Sequence, residues 1–181
     1  FQAREGDVMN ADLLVYQAKA FYNAYIALDQ LSRDDSDTLL LLFAPLVVNG
    51  AFSVELALKA ILAKNQIEYG KEHNLLILFQ MLPKSFQQEL WAYLIEKAPE
   101  YAGSEKGLDE LILLSNAFVD WRYAFEGKPV PAIESRFLAA FANAAVHTMF
   151  SYYNADLLPA TKTESNNEIE QRFHENREKC K

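Results

Sequence analysis

A strongly apolar segment that carries an acid and a base on one helical strip constrains the fold of this chain more than any other feature. The segment covers residues 49–62, and its periodicity predicts a helix. Glu55 and Lys59 are four residues apart, so they lie about 40° apart around the helix axis, on the strip that also holds Phe52 and Leu62. Such a pair lies either at the edge of a buried seam or inside it. A buried pair fixes an arrangement of helices more than it stabilises one.

The composition predicts one globular domain of a helical class. Half of the 181 residues are apolar, including twelve Phe and nine Tyr, so a large core can form. Six Gly and six Pro are few for a loop-rich all-β protein. The single cysteine, Cys180, excludes an internal disulfide, and residues 1–10 lack the apolar stretch of a signal peptide. We therefore expect a cytoplasmic protein.

The charge is concentrated in one part of the chain. Residues 1–158 hold 12 basic and 20 acidic side chains, whereas residues 159–181 hold five of each. We expect residues 1–158 to form a single helical domain and residues 159–181 to form a charged, flexible tail. The acidic body argues against non-specific DNA binding, because such binding depends on neutralising phosphates. A site for RNA or a nucleotide would then be a local pocket or be supplied by a partner.

The apolar periodicity predicts six helices and no strand. They cover roughly residues 11–31, 38–65, 75–81, 86–97, 108–125 and 132–153. Pro45 is expected to kink or divide the second helix, and Ser85 to cap the fourth. Five alanines in the sixth helix would permit close approach of another helix, inside the bundle or across a dimer interface. The uncharged runs 38–54 and 137–155 contain polar residues and predict buried helices, so we expect no membrane span.

Three separated blocks resemble HEPN-domain proteins. In chain order they are residues 43–49 (FAPLVVN) followed by Glu55 and Lys59, residues 73–75 (HNL), and residues 118–123 (FVDWRY) followed by Glu126. Together they cover roughly residues 40–126. The resemblance implies an all-α, up-and-down bundle of five to six helices that usually dimerises. It also implies association with RNA, a nucleotide or a protein partner of a defence or toxin–antitoxin system.

The resemblance also indicates where a catalytic site would lie. Many HEPN proteins are metal-independent endoribonucleases, with an Arg followed after four to six residues by a His near the start of a late helix. In that signature the Arg orients phosphate and the His transfers a proton. Here no His lies five to seven positions after an Arg, and the seventh position after Arg136 is Asn143, which cannot transfer a proton at pH 7. We therefore expect no ribonuclease activity of the usual kind, no cofactor and no metal site.

The candidate binding residues are Asn49, Glu55, Lys59, His73, Arg122, Glu126, Arg136 and Asn143. Most of them have a structural interpretation as well. Glu55 and Lys59 would stabilise a helix by only about 0.3–0.5 kcal/mol if the pair is exposed. His73 is a pocket residue or a loop anchor. Arg122 either binds phosphate or stacks on neighbouring rings and pairs with Glu126, and the family arrangement implies that it could reach Glu55.

Arg136, Asn143, His147 and Asn154 share one stripe of the sixth predicted helix. The stripe is either a degenerate active face or the solvent face of an amphipathic helix. The leading hypothesis is a non-catalytic, homodimeric, HEPN-like binding or assembly module. One alternative is a ribonuclease with a divergent site built from Arg122, Arg136 and His147. Another is a small-molecule-binding bundle, because the abundant aromatic side chains could line a pocket.

Overall fold

The computed structural model describes residues 11–33, 36–102, 105–123, 126–127 and 129–153. Within these ranges the chain is helical and contains no strand, which confirms the all-α prediction. The predicted tail and the end of the predicted domain lie outside the described residues. The helices are α1 (Ala11–Ser32), α2 (Ser36–Lys64), α3 (Leu75–Met81), α4 (Lys84–Lys97), α5 (Glu105–Leu114), α6 (Ala117–Arg122) and α7 (Ser135–Tyr153), with a 3-10 turn at Pro99–Tyr101.

Helix α2 is the centre of the bundle. It packs against α1, α3, α6 and α7, which explains why its sequence is almost entirely apolar. Pro45 lies inside the helix, which continues through it from Ser36 to Lys64, so the chain is not divided there. The Asn49 side chain donates a hydrogen bond at 2.7 Å to the carbonyl of Pro45, one turn earlier in the helix. The helix tolerates the proline because packing on several sides supports the backbone.

The predicted fifth helix is wrong, because the structure divides it into α5 and α6. The break falls at Ser115 and Asn116, and both residues bind the start of α3. The Ser115 carbonyl accepts a hydrogen bond from the Leu75 backbone N–H at 2.8 Å, and the Asn116 side-chain oxygen accepts one from the Asn74 amide at 3.0 Å. The Asn74 side chain also caps α3 by accepting from the Ile77 N–H. The break therefore supplies partners to a helix terminus elsewhere in the chain.

The alanines of α7 serve close packing inside the bundle. Ala142, Ala144 and Ala145 are fully buried, and α7 packs against α2, α4 and α1. Gly50 of α2 lies at the same junction, where an added Cβ would sit 3.0 Å from a Tyr25 ring carbon. Of the two interpretations of this alanine stripe, the structure shows the one inside the bundle.

Two further features of the helices bear on the predictions. Ser85 does not cap α4, because the helix begins at Lys84 with Pro83 at the capping position and no side-chain hydrogen bond there.

The stretch Leu41–Lys64 is long and apolar enough to cross a membrane by length and composition alone. More than half of its most apolar window is buried inside the bundle, and the core helix of a globular protein has this same property.

Candidate functional site

A buried carboxylate on α2 gathers two basic side chains. One oxygen of Glu55, Oε1, lies 2.7 Å from Lys59 Nζ and 2.8 Å from His73 Nδ1. The Glu55 and Lys59 side chains are only 2% and 10% exposed, whereas the His73 side chain is 51% exposed. The pair therefore lies inside the seam of the bundle and not at its edge. We call these three residues the Glu55 cluster.

The Glu55 cluster orients the His73 ring. A carboxylate oxygen that already accepts from a lysine is a hydrogen-bond acceptor, so Nδ1 of His73 carries the hydrogen and donates a hydrogen bond to Glu55 Oε1, which leaves Nε2 on the opposite edge of the ring. His73 is thus the loop anchor that one interpretation of the sequence proposed, and it still has an exposed edge. Lys59 also lies 5.5 Å from the centre of the Tyr69 ring. Burial, and secondarily the negative charge of Glu55, raise the pKa of the Tyr69 hydroxyl.

The second oxygen of Glu55 is unusual. Among the described residues, Oε2 is buried and accepts no hydrogen bond. A buried acceptor without a partner costs about 1–3 kcal/mol.

An aromatic stack lies beside the Glu55 cluster. The Phe118 ring of α6 stacks on Phe52 of α2 at 4.3 Å, and the His73 ring lies 6.5 Å from Phe118. The Arg122 guanidinium lies 4.8 Å from the Phe118 ring and 4.7 Å from the Tyr123 ring. Arg122 is thus stacked on rings, as one interpretation of the sequence proposed. We call His73, Phe118, Arg122 and Tyr123 the Arg122 surface.

Arg122 does not complete the Glu55 cluster. Within the described ranges Glu55 binds Lys59 and His73, while Arg122 donates to the Tyr123 hydroxyl at 3.1 Å. The expected contact between Arg122 and Glu55 is therefore not made, because Arg122 stacks on Phe118 instead. Glu126 is exposed and lies in the short segment after α6.

The predicted α7 stripe is a separate surface. Arg136 Nε lies 2.6 Å from Glu100, and the exposed His147 ring stacks on Tyr93 at 3.9 Å. Asn143 contacts Tyr22 of α1, where burial raises the pKa of the Tyr22 hydroxyl and the Asn143 hydrogen bond partly offsets that rise. A cleft of about 230 Å³ is lined here by Lys97, Ala98, Arg136, Ala139, Ala140 and Asn143. Asn154 lies outside the described residues.

The divergent catalytic trio is not assembled within one chain. Arg136 and His147 are eleven residues apart on one helix, which separates them by about 16 Å along its axis. Arg122 lies on α6, which packs against α2. Arg136 and His147 each contact a different segment instead, Glu100 and Tyr93 respectively.

Sequence patterns predicted only some of the residues that form the Arg122 surface and the α7 stripe. The ring that stacks on His147 was missed because Tyr93 comes from α4, although Tyr93 and Lys97 are spaced to share a face of that helix. The ion pair of Arg136 with Glu100 also joins two distant segments. No local pattern could have indicated either contact.

An apolar groove lies elsewhere, between α3, α4 and α5. Its volume is about 610 Å³, and it is lined by Phe79, Lys84, Gln87, Gln88, Trp91, Ala92, Ile95 and Leu108. It contains no carboxylate and no histidine, so it offers little with which to orient a polar ligand. In the part of the chain that the structure describes, no group of three or more His, Cys, Asp or Glu side chains could hold a metal ion.

Comparison with known proteins gives one match. The family model of the HEPN domain matches residues 46–136. That range begins in α2 and ends at the second residue of α7, so it includes the Glu55 cluster and the Arg122 surface but stops before Asn143 and His147. No curated protein and no solved structure matches the chain.

Proposed function

The chain belongs to the HEPN-domain family, and we propose that it is a non-catalytic binding module that holds a ribonucleotide phosphate of single-stranded RNA or of a free nucleotide. The observation that supports this proposal is the stacked guanidinium of Arg122. Its Cζ lies 4.8 Å from the centre of the Phe118 ring and 4.7 Å from that of Tyr123, and the side chain is exposed. A guanidinium held beside two rings still has N–H groups for a phosphate, with little loss of side-chain entropy on binding.

The remainder of the Arg122 surface suits the other parts of a nucleotide. The centre of the His73 ring lies 6.5 Å from that of Phe118, and its Nε2 can contact a phosphate or base edge. Tyr123 is 41% exposed and offers a ring on which an unpaired base could stack. The net charge of −8 disfavours extended contacts with a polyanion. A small site with one fixed cation is the arrangement that such a protein can use.

Two observations favour binding over turnover. Metal-independent cleavage of RNA requires an acid and a base on one phosphodiester, and the Arg122 surface presents one histidine. The other described histidine, His147, stacks on Tyr93 beside the separate cleft of α7. Asn143 occupies the position where the family signature would place a proton-transferring residue.

The experiment is binding of a fluorescein-labelled single-stranded RNA, measured by fluorescence anisotropy in the absence of divalent metal. Arg122→Ala is expected to weaken binding at least tenfold, while Arg122→Lys gives an intermediate loss because the bidentate geometry is lost but the charge is kept. Arg136→Ala is the matched control, since Arg136 is an exposed arginine on another surface. The RNA affinity of the Arg136→Ala variant is expected to stay within twofold of the native value.

The salt dependence of the same measurement provides a second criterion. One or two phosphate contacts give a slope of log K against log salt of about −0.7 to −1.4 for a single strand. A slope several times steeper would indicate a broad basic interface that this surface does not have. Absence of RNA and nucleotide binding by the native protein, or equal losses in Arg122→Ala and Arg136→Ala, would refute the proposal.

One observation favours a second candidate, a ribonuclease centred on His73. The 2.8 Å bond from His73 Nδ1 to Glu55 orients the ring as a carboxylate orients a catalytic histidine. This candidate predicts cleavage of an RNA but not of the matching 2′-deoxy strand. Cleavage lost in His73→Ala and retained in His147→Ala would replace the non-catalytic proposal.

A further inference from the structure

The apolar groove between α3, α4 and α5 has one charged side chain among the described residues that line it. Its volume of about 610 Å³ falls within the range of about 300–1,000 Å³ that is usual for small-molecule sites. One wall is a face of α4, on which four lining side chains recur at steps of four, three and four residues. They are Lys84, Gln88, Trp91 and Ile95. This face is about 16 Å long, with the charge at one end and Trp91 and Ile95 toward the other.

The aromatic floor of the groove is held in place by the core. Trp91 packs so closely on α5 that a Cβ at Gly107 would lie 2.9 Å from its Cζ2 atom. The Phe79 ring of α3 lies 5.9 Å from the Trp91 ring and 6.1 Å from that of Phe141, which is fully buried. An apolar ligand would therefore contact rings that are already ordered, so little side-chain entropy is lost on binding.

Lys84 is positioned at the rim of the groove by a neutral side chain. The Gln87 amide nitrogen donates to two backbone carbonyls near the end of α3, at 3.0 and 2.8 Å, so the amide oxygen faces Lys84. Lys84 Nζ donates to that oxygen at 3.1 Å, and it forms no ion pair with the described residues. The two acids of α4, Glu89 and Glu96, lie about 100° or more from the groove face. An anionic group at this end would therefore pair with Lys84 without displacing a carboxylate of the protein.

We propose that the apolar groove binds a small amphipathic monocarboxylate, with the carboxylate at Lys84 and the apolar chain or ring along Trp91 and Ile95. The groove supplies a partner for each half of such a ligand, because it combines one cation at the rim with an apolar floor. The ligand also covers Leu108 of α5, which follows the contact between Gly107 and Trp91 and is 46% exposed. Ile112, one turn further along α5, is 48% exposed and extends the apolar surface for a longer chain.

The size and polarity of the groove favour this ligand over larger or more highly charged ones. Eight described residues line the groove, whereas each side of a standard protein interface contributes about 20–30. One lysine and two glutamines are the polar side chains among those eight, which suits a single anionic head and not the several charges of a nucleotide. The groove shares no lining residue with the Arg122 surface, so it is a second site.

The emission of Trp91 measures occupancy of the groove directly. The chain has two tryptophans, and the indole N–H of Trp121 has no hydrogen-bond partner among the described residues. Trp121→Phe therefore removes no described hydrogen bond and leaves Trp91 as the only indole. Decanoate, added to this full chain below its micelle concentration, is expected to shift the Trp91 emission to shorter wavelength. Octanoate and hexanoate are expected to bind more weakly, by about fourfold for each buried CH₂ that is lost.

The role of the charge is tested with three ligands that share one alkyl chain. Decanoate is expected to bind about fivefold more tightly than decanol, which is roughly the factor that a partly exposed ion pair contributes, and decylammonium more weakly than both. Lys84→Gln is expected to abolish the preference for decanoate and to leave the decanol affinity within twofold. Lys97→Gln, at an exposed lysine in the last turn of the same helix, is the matched control and is expected to keep the preference.

A further variant tests the apolar part of the groove. Because Leu108 is 46% exposed, Leu108→Glu is compatible with folding, and it is expected to weaken decanoate binding at least tenfold with an unchanged circular dichroism spectrum. Arg122→Ala is expected to bind decanoate like the native protein, so this result does not depend on RNA binding.

Three results would overturn the proposal. The first is absence of decanoate binding, and the second is equal affinity for the three ligands or a preference for decanoate that survives in Lys84→Gln. The third is a Trp91 emission that changes with protein concentration but not with decanoate, which would assign the groove to a second copy of the chain.

Discussion

Replacing Lys59 with methionine would leave the Glu55 carboxylate buried beside an apolar side chain of similar length. In the native protein Lys59 Nζ lies 2.7 Å from Glu55 Oε1, and the side chains are 10% and 2% exposed. Removing one partner of a buried pair costs about 3–5 kcal/mol, whereas an exposed pair of this spacing contributes about 0.3–0.5 kcal/mol. Because the Glu55–Lys59 pair is buried, the cost of about 3–5 kcal/mol applies to it.

The second hydrogen bond to Glu55 determines where the cost of Lys59→Met falls within the range of about 3–5 kcal/mol. His73 Nδ1 still donates to Oε1 after Lys59 is removed, so part of the carboxylate remains compensated. We therefore expect Lys59→Met to lower the free energy of unfolding by about 3 kcal/mol, at the lower end of the range. The double variant Glu55→Leu/Lys59→Met removes both charges. Since apolar replacement of a buried pair is often neutral or stabilising, we expect it to lie within about 1 kcal/mol of the native protein.

Urea denaturation, followed by the helical circular dichroism signal, measures these free energies. The matched control is Arg33→Met, because Arg33 and Asp29 have the same four-residue spacing and the same 2.7 Å separation but are 73% and 25% exposed. That change is expected to cost less than about 0.5 kcal/mol. The single variant Glu55→Leu completes the cycle. If Lys59→Met costs no more than Arg33→Met, or if the cost of the double variant equals the sum of the costs of Glu55→Leu and Lys59→Met, the buried-pair argument is refuted.

Three further changes test other parts of the structure. Burial and the neighbouring Glu134 carboxylate raise the pKa of Glu110, so the folded state binds the proton more tightly and stability falls as pH rises from about 4.5 through the raised folded pKa. Glu110→Gln should then raise the melting temperature at pH 7 and give no gain near pH 4. A Cβ at Gly107 would lie 2.9 Å from Trp91 Cζ2, so Gly107→Ala is expected to cost about 1 kcal/mol net of its helix propensity and to shift tryptophan fluorescence. Asn74→Ala removes the cap of α3 and the bond to Asn116 and should cost about 1 kcal/mol in urea denaturation.

Helix ends were predictable where a local signal marks them. Helix α3 begins directly after Asn74 and ends just before Pro83, which are residues that start and stop helices. The break at Ser115 was not predictable, because the contact made there is with the Leu75 N–H, forty residues earlier in the chain. Ser85 is a residue type that caps helices, but α4 begins one residue earlier, at Lys84, with Pro83 at the capping position.

In the candidate site too, the local contacts were predictable from the sequence and the contacts between distant segments were not. The spacing of Glu55 and Lys59 predicted their contact, since i,i+4 neighbours on a helix meet whatever the fold. Whether that contact is buried depends on which helices pack over α2, and the periodicity of one helix does not predict its neighbours. His73 joins from a loop eighteen residues away, and the Arg122 surface depends on α6 leaving α5 at a particular angle. Contacts between distant segments carry most of the site.

The two oxygens of the Glu55 carboxylate have different surroundings. Oε1 holds Lys59 and His73, so it fixes α2 against the loop before α3 and sets the tilt of the imidazole. Oε2 is buried and accepts no hydrogen bond from the described residues. A single carboxylate thus ties the helix packing to the orientation of an exposed ring. Because the His73 ring and the Arg122 guanidinium both lie beside Phe118, we expect a change in the buried pair to affect the surface as well. Stability and ligand binding should therefore respond together to changes at Glu55, and separately to changes at Arg122.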